Sequence, residues 1–132
     1  MDLTITFPGG LRVNADFGAY TVATDQPAHS GGEGSAPTPF AMFLAALGTC
    51  AGVYVLGFCR QRNIPTEGIT LTQHTEADPA TGMVVRIDMD IHVPPGFPSR
   101  YHGALVRAAE QCTVKKHMEH PPAIEVSTVV DA

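Results

Sequence analysis

The sequence predicts an α+β fold of order βββ-α-ββ-αα-β, a long buried central helix wrapped by antiparallel sheets. Three features predict it. Segments alternating apolar with polar stand at both ends and in the middle of the chain. A run of nineteen residues, Phe40 to Phe58, carries no charge. Between the later strands and the end lie two shorter helical patterns.

Leu3-Thr4-Ile5-Thr6-Phe7 alternates, Pro8-Gly9-Gly10 turns the chain, and Leu11-Arg12-Val13-Asn14-Ala15 alternates again, which is a β-hairpin pattern. A second turn at Asp16-Phe17-Gly18 leads to a third strand at Tyr20-Thr21-Val22-Ala23 and completes a meander. From Asp25 to Pro37 the chain is rich in Gly, Pro and Ser. A loop of this length is either a lid or binding loop or a surface linker.

Thr38-Pro39 starts the long helix, with the Thr hydroxyl as cap and Pro39 in the first helical position. A helix without charge from Phe40 to Phe58 is expected to be buried on all sides, ending at Arg60, Gln61, Arg62 and Asn63 before Pro65. Its length also satisfies the rule for a membrane span. Three glycines, a threonine and a cysteine in the run, and flanking strands that need a cover, favour a core helix and no membrane partner. Ala41, Ala45, Gly48 and Gly52 form a row of small residues. It predicts a close helix–helix contact, with Ala104–Ala109 or with a second copy of the chain.

A second hairpin is expected from Ile69–Glu76 and Val84–Val93, joined by a turn at Asp78-Pro79-Ala80-Thr81-Gly82. In its second strand Val85, Ile87, Met89, Ile91 and Val93 share one face. Ser99 is expected to cap a helix through about Gln111. A shorter helix follows over Thr113–Glu119, and a sixth strand over Ile124–Val129.

The 132 residues, 44% of them apolar, are enough for one core, so a single domain over 1–132 is expected. A net charge of −5 without a Lys/Arg block leaves no electrostatic footprint for nucleic acid. Met1-Asp2-Leu3-Thr4 lacks the basic and apolar regions of a secretory signal, so a cytoplasmic location is expected. Thiols there are held reduced, and the three cysteines are to be read as packing, reactive or metal-binding groups before structural disulfides.

Cys50 lies mid-helix beside Ala51 and Gly52, either a small core residue or a thiol with room beside it. Cys59, nine positions on, is half a turn out of phase at ~100° per residue and faces away from Cys50. Cys112 stands at a helix junction before Thr113, Val114, Lys115 and Lys116. It is either packed or a thiolate stabilised by free N–H groups and positive charge. Cys112, His117 and His120 form C-x4-H-x2-H, which is no familiar paired zinc spacing and lacks a fourth ligand; solvated helix-end histidines are the ordinary explanation. GGEGSAP lacks the Lys-Ser/Thr of a phosphate loop, and no metal or cofactor is expected.

Pro39 followed by FAMFLAALGTC, then FCRQRNIPTEGI, then RAAEQCTVKKHM, resemble the OsmC/Ohr family of osmotically inducible and organic hydroperoxide resistance proteins. The resemblance implies an OsmC-like fold, an intertwined homodimer with sites at the subunit interface, and cysteine-based peroxidase chemistry. Cys50 matches the family's peroxide-attacking cysteine and Cys112 its resolving cysteine. The substrate would be an organic hydroperoxide and the reductant an external dithiol. Phe40 follows Pro39 where the hydroperoxide-resistance branch usually has Glu, and Thr113 follows Cys112 where the family usually has Pro. The family's activating Arg has a candidate in Arg12, which is equally the exposed neighbour of Leu11 and Val13. Glu33 could orient that Arg or be a solvated loop acid. An apolar cleft drawn from Phe40, Phe43, Leu47 and Tyr54 would favour a greasy hydroperoxide. The same fold used as a small-molecule or protein-binding module, without peroxidase activity, is the alternative.

Overall fold

Alternation and turn glycines fold the N-terminal segment into a meander. Strands β1 (Thr4–Gly9), β2 (Arg12–Phe17) and β3 (Tyr20–Thr24) form one antiparallel sheet in the order β1-β2-β3. Thr4 stands opposite Asp16, and Val13 opposite Thr24. Gly10 and Gly18, at the two turns, both have φ of 57°, a left-handed conformation that costs glycine little. The computed structural model describes all residues, Met1–Ala132, in two units, Met1–Ala46 and Leu47–Ala132.

The loop after β3 in the first unit is built around a buried carboxylate. Asp25 is 1% exposed. Its Oδ2 accepts from the backbone N–H of Ser35 at 3.0 Å and from the Ser35 hydroxyl at 2.6 Å, while Oδ1 accepts from the Gln26 N–H at 2.7 Å. The Asp25 N–H donates to the Pro37 carbonyl at 3.2 Å and closes the loop on itself. A buried carboxylate is tolerated because donors surround it. Together the Ser35 hydroxyl and N–H, then the Gln26 and Glu33 N–H groups, outweigh burial and lower its pKa to about 2.

Helix α1 (Pro39–Gln61) starts as its sequence predicts, the Ala41 N–H donating to Thr38 Oγ1 at 3.2 Å. It ends on Asn63, at φ 54°, with the Ile64 N–H donating to the Cys59 carbonyl at 2.9 Å and the Asn63 N–H to that of Arg60 at 3.3 Å. These two bonds make a Schellman stop. Above Phe58 the Arg62 guanidinium sits 3.7 Å from the ring centroid.

In the second unit β4 (Thr70–Ala77) and β5 (Val84–His92) pair antiparallel, with a bulge near Glu76 and Ala77. Helices α2 (His102–Ala109) and α3 (Thr113–Glu119) follow. Val55, Phe58, Cys59, Phe97 and Leu105 make one buried cluster, joined by Leu71, Ile91 and Ala108. Leu47, Ala51 and Cys112 make a second, joined by Ile87, Met89 and Val114. Ile87, Met89 and Ile91 thus face the core as their alternation predicts. Val85, at the bulge, is 66% exposed.

The architecture is the expected α+β one, with four local corrections. First, α1 is not buried on all sides. Leu47, Ala51, Val55, Phe58 and Cys59 form one buried face, while Val53 is 63% and Leu56 41% exposed. An uncharged run gives the polarity of a helix but not the number of elements its own chain packs around it. It is also the one helix long and apolar enough to cross a membrane, yet its buried face packs on protein. Second, no helix of the same chain sits on Gly48 or Gly52 of the small-residue row, which leaves a second copy of the two expected partners. A Cβ on Gly48 would meet Gln73 Oε1 at 2.8 Å, so this glycine admits a side chain from β4; at Gly52 a Cβ would meet nothing within 4 Å. Third, Ser99 opens a short 3-10 turn, Ser99–Tyr101, without capping it, and α2 begins at His102. Fourth, the expected sixth strand is absent: residues 121–132 have no regular structure, with Ile124 83% and Val126 93% exposed. Alternation specifies which side chains share a face, but a strand also needs an edge to pair with, and the chain's own two sheets do not take this segment up.

Candidate functional site

Helical phase and a helix junction bring two of the three cysteines together. Cys50 is half-buried on α1, next to the buried row through Leu47 and Ala51. Cys112 is 1% exposed and is the N-cap residue of α3. Its sulfur accepts from the Lys115 N–H at 3.5 Å and lies 3.7 Å from the Leu47 carbonyl oxygen, within reach of a weak S–H donation. Cys50 packs against the cluster that holds Cys112, and each thiol shifts the ionisation of the other. Cys59 is fully buried in the other cluster, and burial pushes its thiol pKa up. All three cysteines are free thiols.

The two neighbouring sulfurs have opposite electrostatics. Around Cys50 the Val114 N–H, the Cys112 thiol, the Thr113 N–H and the Thr113 hydroxyl all favour the thiolate. The Val114 N–H contributes most, and together they overcome burial and lower the Cys50 pKa. At Cys112 burial dominates and raises the pKa, with the charge on Cys50 acting in the same direction and the Lys115 N–H opposing it. Of the two expectations for Cys112, a packed thiol and a thiolate stabilised at the helix end, burial favours the packed thiol, while the Val114 and Thr113 N–H groups favour the thiolate of Cys50. A half-exposed sulfur that favours its thiolate thus stands beside a buried one that favours its thiol.

Tyr54, one turn after Cys50 on α1, has its phenol oxygen 2.9 Å from Thr113 Oγ1. Leu47 lines a cavity of about 700 Å³ whose wall also includes Ala51, Ile87, Met89, Cys112 and Met118. Phe40 and Phe43 belong to the first unit, where their rings lie 5.5 Å apart and are 51% and 38% exposed. Of the four residues expected to line an apolar cleft, Leu47 therefore faces a cavity and Tyr54 faces Thr113. Arg12 and Glu33, also in the first unit, form an ion pair with Nη1 to Oε2 at 3.0 Å. Sequence reasoning missed the part played by Thr113, which it had recorded only as a missing proline. A hydroxyl and an N–H in place of an imide ring were the signal available.

Residues 32–127 match the sequence profile of the OsmC-like proteins. No curated protein sequence is recognisably similar to the chain. Among solved structures, one described as an osmotic stress induced and detoxification response protein from Psychrobacter arcticus 273-4 is similar at a TM-score of 0.73. The two share 21% identity over 86% of this chain and 85% of that one. Another, described as an organic hydroperoxide resistance protein OsmC from Legionella pneumophila, is similar at a TM-score of 0.55, with 22% identity over 89% of both chains. At these identities the likeness to the solved structures is one of fold.

Proposed function

The chain belongs to the OsmC-like protein family, and from that premise we propose that it is a thiol-dependent peroxidase that reduces organic hydroperoxides through Cys50 and Cys112. The packing of Cys50 against the cluster that buries Cys112, with Cys50 favouring its thiolate and Cys112 its thiol, is the observation that supports this reading.

The Cys50 thiolate attacks the outer oxygen of the hydroperoxide and breaks the O–O bond. This gives a sulfenic acid on Cys50 and an alkoxide that leaves as the alcohol after taking a proton. Cys112 then loses its proton and attacks the Cys50 sulfur, forming the disulfide and expelling the hydroxyl as water. An external dithiol returns both cysteines to thiols and is oxidised in turn, so no metal or organic cofactor takes part. Keeping Cys112 protonated until this point preserves it as the resolving thiol. The cavity that Cys112 lines is mixed, with Arg86, Asp90, Glu110 and Lys115 beside Leu47, Ile87, Met89 and Met118, and its apolar side would suit a hydrocarbon group.

The active form in this reading is a homodimer working in the cytoplasm. The exposed Val53 and Leu56 on α1 and the unpaired apolar alternation at Ile124 and Val126 leave surface that a second copy would cover. The reading is tested by mixing reduced protein with cumene hydroperoxide and a dithiol and following peroxide consumption. Wild type should turn over and Cys50→Ser should not. Loss of peroxide at the same rate with both proteins would refute it.

A further inference from the structure

Thr113 opens α3 with both a backbone N–H and a hydroxyl, neither of which a proline in this first helical position could offer. Thr113 directly follows Cys112, against whose cluster Cys50 packs, and both groups of Thr113 favour the Cys50 thiolate. The hydroxyl is itself 2.9 Å from the phenol of Tyr54. Tyr54 follows Cys50 by four residues on α1, so both side chains emerge on one face, toward the start of α3.

We propose that Tyr54 and Thr113 form a hydroxyl relay that activates Cys50, with Thr113 donating to the sulfur and Tyr54 positioning Thr113. Stoichiometry fixes its direction. A threonine hydroxyl has one hydrogen and can accept as well as donate. When Cys50 is a thiolate, the charge draws that hydrogen to sulfur, and the Tyr54 hydrogen must then serve Thr113 Oγ1. Each bond polarises the next, so the pair stabilises the thiolate more than either hydroxyl would alone. Once Cys50 carries oxygen or is joined to Cys112, the negative charge is gone and the relay no longer favours that state. The stabilisation therefore acts on the attacking form. Thr113 touches the reacting atom and is a catalytic residue in this sense; Tyr54 acts through it. The proposal rests on Cys50 being the reactive thiol but not on the identity of its substrate.

The test is the rate of iodoacetamide alkylation at Cys50 across pH, resolved by peptide mass in the intact, reduced chain, which needs no peroxide. Loss of a hydrogen bond to a charged atom should slow Thr113→Val about tenfold at neutral pH and move its pH midpoint upward, while Thr113→Ser stays near wild type. Thr113→Pro suits the first position of α3 and should fold, yet it should slow alkylation at least as much as Thr113→Val. Tyr54→Phe should give a smaller loss in the same direction. Profiles for Thr113→Val and Thr113→Pro that superimpose on wild type would overturn the relay. So would a Thr113→Ser profile as depressed as that of Thr113→Val, because the effect would then come from packing. A wild-type profile for Tyr54→Phe would remove Tyr54 from it. If alkylation depends on Thr113 while hydroperoxide is not consumed, the relay stands and the peroxidase reading fails.

Discussion

Cys50, on the half-exposed flank of α1, packs against the cluster in which Cys112 lies buried at the cap of α3. Two thiols packed in one cluster share one environment, yet the backbone N–H groups of Val114 and Thr113 favour the Cys50 thiolate while burial dominates at Cys112. The division of labour between the sulfurs follows from that difference.

Cys50 should therefore be the first cysteine to react with iodoacetamide. Its lowered pKa favours the thiolate at a lower pH than for an ordinary cysteine, whereas the raised pKa of Cys112 delays its ionisation. The ratio of Cys50 to Cys112 labelling should be high at neutral pH and fall as pH rises. Site-resolved mass spectrometry checks this, and equal labelling at neutral pH would count against the assignment of roles.

Replacing the resolving thiol should leave the first step intact. In Cys112→Ser, one equivalent of hydroperoxide should convert Cys50 to a sulfenic acid that dimedone traps, with no intramolecular disulfide. Failure to trap an adduct, with Cys50 still reduced, would indicate that Cys50 does not attack peroxide unaided.

Cys59→Ala should cost about 1 kcal/mol of stability through the lost packing of a fully buried sulfur, and leave peroxide-driven chemistry at Cys50 unchanged. Thermal unfolding and peroxide consumption measured on the same sample separate the two effects.

The first-unit loop should weaken in acid. The carboxyl of Asp25 has a pKa of about 2 in the folded chain against a usual 3.8. Its contribution is therefore complete above the unfolded value and lost as pH falls through about 2. Asp25→Asn should lower Tm at neutral pH, with the difference from wild type vanishing toward pH 2. Gly32→Ala should be destabilising at any pH, by about 1–3 kcal/mol, because a Cβ there collides with the Gln26 carbonyl. An equal Asp25→Asn effect at neutral and strongly acid pH would rule out the carboxylate as its source.

Much of this was legible in the sequence because the deciding physics is local. Thr38-Pro39 specifies where α1 starts, alternation gives β1 to β5, and the ninefold step from Cys50 to Cys59 separates those two thiols by phase. What was not legible depends on partners distant in sequence. The number of faces of α1 that the chain covers, the lack of an edge for Ile124–Val129, and the contact of Tyr54 with Thr113 across fifty-nine positions are tertiary facts. Cys112 illustrates the difference. Its place at a helix junction was readable, but burial, which reverses the sign of its pKa shift, was not. Asp25, fully buried in a stretch that reads as a polar loop, is another such case, because its donors Ser35 and Gln26 are assembled only by the turn itself.

The most direct test of the central claim is peptide mapping of reduced wild-type protein after one equivalent of cumene hydroperoxide, without added reductant. The account predicts a single new linkage, Cys50 to Cys112, formed as one alcohol is released, with Cys59 still a free thiol. Three free thiols after excess hydroperoxide, or a linkage that includes Cys59, would contradict it.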